Sequence, residues 1–192
     1  FLAEYGRNMK IAKFLGSLSD MAMSIPSIII GAFVYAILVA PLGKFNGWAG
    51  ACALAIIILP VVVRTTADMM TLVPWTLREA AFALGASYHK VIVSIVWRAA
   101  LSGIFTGILL ALARVAGETA PLLFTSFNSN FFQLNMFNAM PSLTVSIYQY
   151  AASPYESWVD MAWAAAFIIT VLVLFLNIAG RMVVRLQNKV KN

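Results

Sequence analysis

The stretch from Met21 to Pro41 contains no Lys, Arg, Asp or Glu, and this run of uncharged residues limits the folds open to the chain more than any other feature. It is as long as the roughly 17 to 25 apolar residues that a helix needs to cross a bilayer. Three further apolar segments follow, so that spans are expected at about 22 to 42, 47 to 64, 99 to 124 and 161 to 180. Pro60 interrupts the second, which is also the shortest, and a kink or tilt is expected there. Composition agrees. With 62% hydrophobic and only 10% charged residues, the chain lacks the polar surface of a soluble domain. A soluble enzyme, a disordered tail and a nucleic-acid binder are excluded on that ground, in spite of the net charge of +6. The expected fold class is all-α, a polytopic helical membrane protein.

The basic residues give an orientation, because Lys and Arg gather in cytoplasmic loops close to the spans. Arg7, Lys10, Lys13, Arg64, Arg78, Lys90, Arg98, Arg181, Arg185, Lys189 and Lys191 fall on one side of a four-span arrangement, eleven of the thirteen basic residues. Lys44 is alone on the other side. Both ends and the loop at 65–98 are therefore expected in the cytoplasm, with Arg114 left inside a span. The opposite segment, 125–160, has no Lys or Arg. Its Phe131, Phe132, Phe137, Tyr148, Tyr150, Tyr155 and Trp158 suit an aromatic belt at the membrane interface. No internal repeat is visible, and 1–192 reads as one membrane domain. The opening Phe1-Leu2-Ala3-Glu4-Tyr5-Gly6-Arg7 has neither the basic start nor the apolar centre of a signal peptide. It reads as the tail of an earlier helix, so the chain is expected to be the C-terminal part of a longer protein.

Within the loop at 65–98, Thr76-Leu77-Arg78-Glu79 fits a capping box with Thr76 as N-cap. Leu77, Ala80, Ala81, Leu84 and Tyr88 then recur at helical spacing, an apolar stripe on a segment too short to span. Such a stripe lies on the membrane or docks into another subunit, and the pattern alone serves both readings. The residues themselves resemble a known signature: Glu79-Ala80-Ala81, three residues, Gly85, nine residues, then Ile95. This is similar to the Glu-Ala-Ala loop of permease subunits in bacterial type I ATP-binding cassette importers. The resemblance implies an ABC type I importer permease bundle in which Glu79, Ala80, Ala81 and Gly85 couple to a cytoplasmic ATPase. The chain departs from the family's usual Ile-x-Leu-Pro ending, having Ile95-Val96-Trp97-Arg98.

In the third span, Gly103, Gly107, Ala111, Arg114 and Glu118 project within an arc of about 80° on an α-helix. Small residues let a neighbouring backbone come close, and charges inside a bilayer face protein or a water-filled path. Gly103, Gly107 and Ala111 are thus helix-packing candidates. Arg114 and Glu118 form either a structural pair at i and i+4 or part of a substrate path. A guanidinium offers a planar fork of donors matched to phosphate or carboxylate oxygens. The run Ala113-Arg114-Val115-Ala116-Gly117-Glu118-Thr119-Ala120-Pro121 resembles the permeases of phosphate-specific importers. Arg64-Thr65-Thr66, Leu72-Val73-Pro74 and Gly47-Trp48-Ala49-Gly50 extend that likeness over nearly the whole chain. It implies six spans, of which four are expected here, and a path past Arg114, Glu118 and Thr119. The implied partners are a second permease subunit, two ATPase subunits and an extracytoplasmic phosphate-binding protein, in the bacterial inner membrane.

No phosphate-binding loop of the G-x-x-x-x-G-K-[ST] type, no H-E-x-x-H and no G-x-S-x-G occurs. The chain is therefore not expected to be an enzyme. No cofactor is expected in it, ATP and Mg being bound by the partner ATPase, and no metal site either. Asp68 is read as a turn cap with Thr65, Arg64 as an interfacial anchor, His89 as a solvated loop residue and Cys52 as an inert small hydrophobe. Two alternatives remain at this stage: a permease for sulfate or molybdate, and a channel or scaffold subunit without an ATPase.

Overall fold

The computed structural model describes residues 1–6 and 9–190, of which 183–190 by backbone alone. Arg7 and Lys191, counted above among the basic residues, lie outside the described residues, and Arg185 and Lys189 are described only as backbone positions. The described chain is helical: α1 (Lys10–Ser24), α2 (Ser27–Val34), α3 (Gly47–Thr71), α4 (Trp75–Ala83), α5 (Tyr88–Val91), α6 (Trp97–Ala116), α7 (Ala120–Thr125), α8 (Leu143–Ala151) and α9 (Glu156–Val190). Two π-helical turns, Tyr35–Val39 and Ile92–Val96, extend α2 and join α5 to α6.

Three helical stretches are long and apolar enough to cross a membrane: Gly47–Thr71, Tyr88–Ala116 and Glu156–Met182. The broken pair Lys10–Ser24 and Ser27–Val39 makes a fourth if taken together. Three expected boundaries move. The first apolar run is interrupted at Ile25 and Pro26, because proline has no N–H to continue the ladder of the preceding helix. The second span does not stop at Arg64 but continues to Thr71. The third starts at Tyr88 and stops at Ala116, so that residues 120–125 belong to a separate short helix. Gly117, the poorest helix former apart from proline, stands where α6 ends. The amides of Gly117 and Glu118 fold back in tight i to i−3 bonds onto Arg114 O (3.3 Å) and Val115 O (3.1 Å).

The chain divides into two compact units. Unit 1 comprises Phe1–Met23, Pro60–Ala111 and Ala179–Asn192. Its core is Met70, Val73, Ala81, Val91, Ile92, Val96, Ala100 and Ile104. Here α6 meets the end of α3 without clearance: a Cβ on Gly103 would lie 2.5 Å from Met69 Sδ, and one on Gly107 3.0 Å from Thr65 Cβ. Ala111, one turn further on, is buried. The small residues thus let two helices approach more closely than larger side chains would allow.

Unit 2 comprises Ser24–Leu59 and Leu112–Ile178. Gly31 of α2 sits against α7, where a Cβ would be 2.6 Å from Pro121 Cα, and Val34, Val39, Ala49 and Ala53 form a second core. The N-terminus of α3 is fully provided for. Asn46 Oδ1 accepts from Ala49 N at 2.8 Å, while Gly47 N and Trp48 N donate to Asn138 O and Met136 O at 3.1 and 3.2 Å. These bonds satisfy amides that a helix start otherwise leaves open, and they tie the loop at 126–142 to α3. Phe131, Phe132 and Phe137 of that loop are exposed.

Candidate functional site

Two regions carry the charged side chains of interest, the hairpin α4–α5 in unit 1 and the turn between α6 and α7 in unit 2. The hairpin starts two residues earlier than the capping box predicts. Pro74 is the N-cap, extended at ψ 141° as Pro26 is at 132° before α2, and no side-chain bond caps α4. Proline fixes φ in the helical range and lacks the amide that a cap would have to satisfy, so the helix begins directly after it. Thr76 therefore lies inside the first turn. Gly85, at φ +78°, reverses the chain after α4; the left-handed conformation is open to glycine at no steric penalty.

The predicted coupling residues divide by face. Glu79, Ala80 and Gly85 are exposed, whereas Ala81 points into the core. Leu77 and Leu84 are exposed too, Leu84 to 89%. The inner face of α4 is carried by Arg78, which the charge count treats as one more loop cation. It is buried. Its Nη2 lies 2.6 Å from Glu4 Oε1 and donates to Met70 O at 3.1 Å, and its Nη1 donates to Val73 O at 2.5 Å. The two side chains are only 7% and 6% exposed, and the guanidinium lies 5.4 Å from the centre of the Trp75 ring. Arg78 Nε has no partner among the described residues. Met70 O and Val73 O belong to the last turn of α3 and the residues just past it, where carbonyls have no intrahelical donor and a cation is favourable.

The same corner engages His89, which is no simple solvated loop residue: the Tyr5 hydroxyl lies 2.8 Å from His89 Nδ1. Tyr88 Oη donates to Glu4 O at 3.3 Å, and the rings of Tyr5 and Tyr88 meet edge to face at 5.5 Å. No spacing rule links residues 4 and 78, and no pattern in the sequence pointed to the pair.

Arg114 has the opposite environment. It lies in the last turn of α6, exposed, and its side chain has no hydrogen bond or ion pair among the described residues. Glu118 falls beyond the helix end, so the i and i+4 relation assumed for the pair is broken and no salt bridge joins them. Glu118 is held through its backbone instead, its carbonyl accepting from Thr144 Oγ1 at 2.9 Å, and Thr119 is the N-cap of α7. The turn thus presents a cation at the negative end of one helix dipole, with a carboxylate four residues on.

A third charged group lies along α1 and the second half of α3. Arg64 reaches Asp20 Oδ2 and Asp68 Oδ1, each at 3.4 Å, beside a cleft of about 490 Å³ that Lys13 also lines. All three side chains of this network are about half exposed, and such pairs contribute at most about 1 kcal/mol. Thr65 does not pair with Asp68 as a turn cap; its hydroxyl donates to Val61 O at 2.8 Å, a bond within the continuing helix. No group of three or more metal-ligating side chains occurs among the described residues.

The comparisons agree with this layout. The chain is 54% identical over 182 residues to a protein named phosphate transport system permease protein PstA from Haemophilus influenzae, covering 95% of this chain and 64% of that protein. It is 46% identical over 193 residues to the protein of the same name from Xylella fastidiosa, covering 100% of this chain and 67% of that one. A phosphate transport system permease protein PstA 1 from Mycobacterium tuberculosis is 38% identical, with 95% and 60% covered. The chain thus spans somewhat less than two thirds of the length of the first curated relatives it matches. Among solved structures, an inward-facing MetNI methionine ABC transporter aligns with a TM-score of 0.76 at 20% identity, over 94% of this chain and 77% of that chain, a likeness of fold. Residues 1–189 match the family described as "Binding-protein-dependent transport system inner membrane component". With its membrane-length helices, its exposed hairpin and that match over almost its whole length, the chain belongs to the binding-protein-dependent transport system inner membrane component family.

Proposed function

We propose that the chain is the larger part of a permease subunit that moves inorganic phosphate into the cell, driven by ATP hydrolysis on a separate ATPase. The observation that carries this reading is the 54% identity to a phosphate permease over 95% of the chain. Arg114 supports it: an exposed guanidinium whose donors have no partner among the described residues suits an oxyanion, and a site that held the anion with many partners would release it slowly. In this reading Arg114, Glu118 and Thr119 line the path, and Glu118 moderates the positive field between passages. Family membership favours the importer over a stand-alone channel or scaffold.

The α4–α5 hairpin would dock into the ATPase through Glu79, Ala80 and Gly85, together with the exposed Leu77 and Leu84. Closure of the ATPase dimer then pushes on the hairpin and switches the path between outward-open and inward-open states. The distribution of Lys and Arg supports a cytoplasmic hairpin and C-terminus. Further partners are a second permease subunit and an extracytoplasmic phosphate-binding protein, with ATP and Mg held by the ATPase.

The test is uptake of radiolabelled phosphate by cells carrying the full-length subunit, with sulfate and molybdate as competitors. Phosphate uptake that neither competitor reduces, together with copurification of a nucleotide-binding subunit, is the expected result. Uptake of sulfate or molybdate in its place would replace the substrate, and the absence of any ATPase partner would remove the importer reading.

A further inference from the structure

We propose that the buried Glu4–Arg78 ion pair is a latch that makes the segment Phe1–Gly6, the end of α3 and the α4–α5 hairpin move as one body, so that a push on the hairpin reaches the spanning helices. The inference rests on the reading that this hairpin receives the ATPase.

Three backbone elements converge on one guanidinium. Arg78 belongs to α4 itself, Nη2 grips Glu4 at 2.6 Å in the opening segment, and Nη1 and Nη2 hold Val73 O and Met70 O at the end of α3. A second set of contacts fastens the opening segment to the other arm of the hairpin, through Tyr5 to His89 and through Tyr88 to Glu4 O. The clasp is on the inner face. The outer face, with Glu79, Leu77 and Leu84, stays exposed, so Arg78 stands one residue from the expected point of contact.

Stability is a poor explanation for such a pair. Withdrawing two charges from water carries a desolvation penalty of about several kcal/mol for each ion, and apolar residues of similar volume often hold a core as well or better. What apolar packing does not supply is a fixed direction. A planar fork bound to one carboxylate and two carbonyls allows little sliding or rotation of α4 against its neighbours, whereas a greasy contact tolerates both. The pair therefore acts by positioning, transmitting displacement rather than touching the transported ion.

The experiment uses the full-length subunit assembled with its partners in proteoliposomes and reads two quantities: ATPase retained on the complex, and ATP hydrolysed per phosphate transported. Glu4→Gln weakens the latch while leaving a hydrogen-bonding group. The double variant Glu4→Leu with Arg78→Met removes both charges and keeps the volume filled. Both are expected to retain the ATPase, and the ATP spent per phosphate should rise about fivefold or more, the lower end of ordinary inter-site coupling. Arg78→Lys, which keeps the charge and loses the fork, should lie between these and the unmodified subunit. An unchanged ratio in the double variant overturns the latch and makes the pair a packing element. Failure of both variants to assemble overturns it as well, since the pair would then serve folding. The docking reading is tested separately by Leu84→Ser and Glu79→Ala, which should release the ATPase. If they do not, that reading fails whatever the ratio does.

Discussion

Arg78 and Arg114 are the same side chain in opposite surroundings. Arg78 is enclosed, with a carboxylate and two carbonyls around it, while Arg114 ends its helix exposed and without a partner among the described residues. An enclosed guanidinium whose Nη1 and Nη2 already hold a carboxylate and two carbonyls is closed to a passing anion, although its Nε keeps no partner among the described residues; its bonds hold segments in place. One whose donors are free can take an anion and give it up again. Charge and hydropathy give both arginines the same score, and their surroundings separate them.

The difference can be broken most severely at Arg114. Arg114→Gln in the full-length subunit is expected to lower phosphate uptake to background while the complex assembles, with unfolding stability within about 0.5 kcal/mol of the parent, as for an ordinary exposed position. A large loss of stability would mean that Arg114, like Arg78, is structural. The converse variant, Glu4→Leu alone, strands a buried cation and should cost about 3–5 kcal/mol, read as a lower denaturation midpoint and less subunit in the membrane. A change of under about 1 kcal/mol would place Glu4 and Arg78 among the weak exposed pairs, and the contrast would vanish. The smallest effect is expected at Gly85. A Cβ there meets nothing within 4 Å, so Gly85→Ala should cost only the left-handed backbone conformation, about 1–2 kcal/mol. A larger loss would show that the hairpin turn is packed against something besides solvent.

What the sequence conveyed was mostly one-dimensional. Long uncharged runs mark helices in a membrane because a single chain segment satisfies all its own backbone bonds, and α3, α6 and α9 were visible for that reason. Their ends were harder to read. α3 runs seven residues past Arg64, to Thr71, because arginine is a good helix former and nothing at that position stops the backbone ladder; the end of an apolar run marks where hydropathy changes, not where the helix ends. Thr76 looked like a cap because the four-residue motif is satisfied locally, yet Pro74, two residues earlier, already starts the helix. The Glu4–Arg78 pair was out of reach, since nothing along the chain connects residues so far apart. The Arg114 region was found from a spacing that assumed an unbroken helix, and Gly117 ends that helix before Glu118. The pair drawn between Arg114 and Glu118 does not form among the described residues.

The π-helical turn Ile92–Val96 bears on how chains of this family can vary in length. Such a turn holds one residue more than the regular ladder on either side of it. Deleting a residue there would let the helix close up without a break, so a hydropathy profile would hardly register the change. The angular phase of everything after it would be kept, because the wide turn absorbs a residue that a regular ladder would turn into a rotation of about 100°. Gly103 and Gly107 would stay against Met69 and Thr65. The extra residue is thus taken up locally, and homologous chains that lack it can keep their small residues on the same face and make the same close approach.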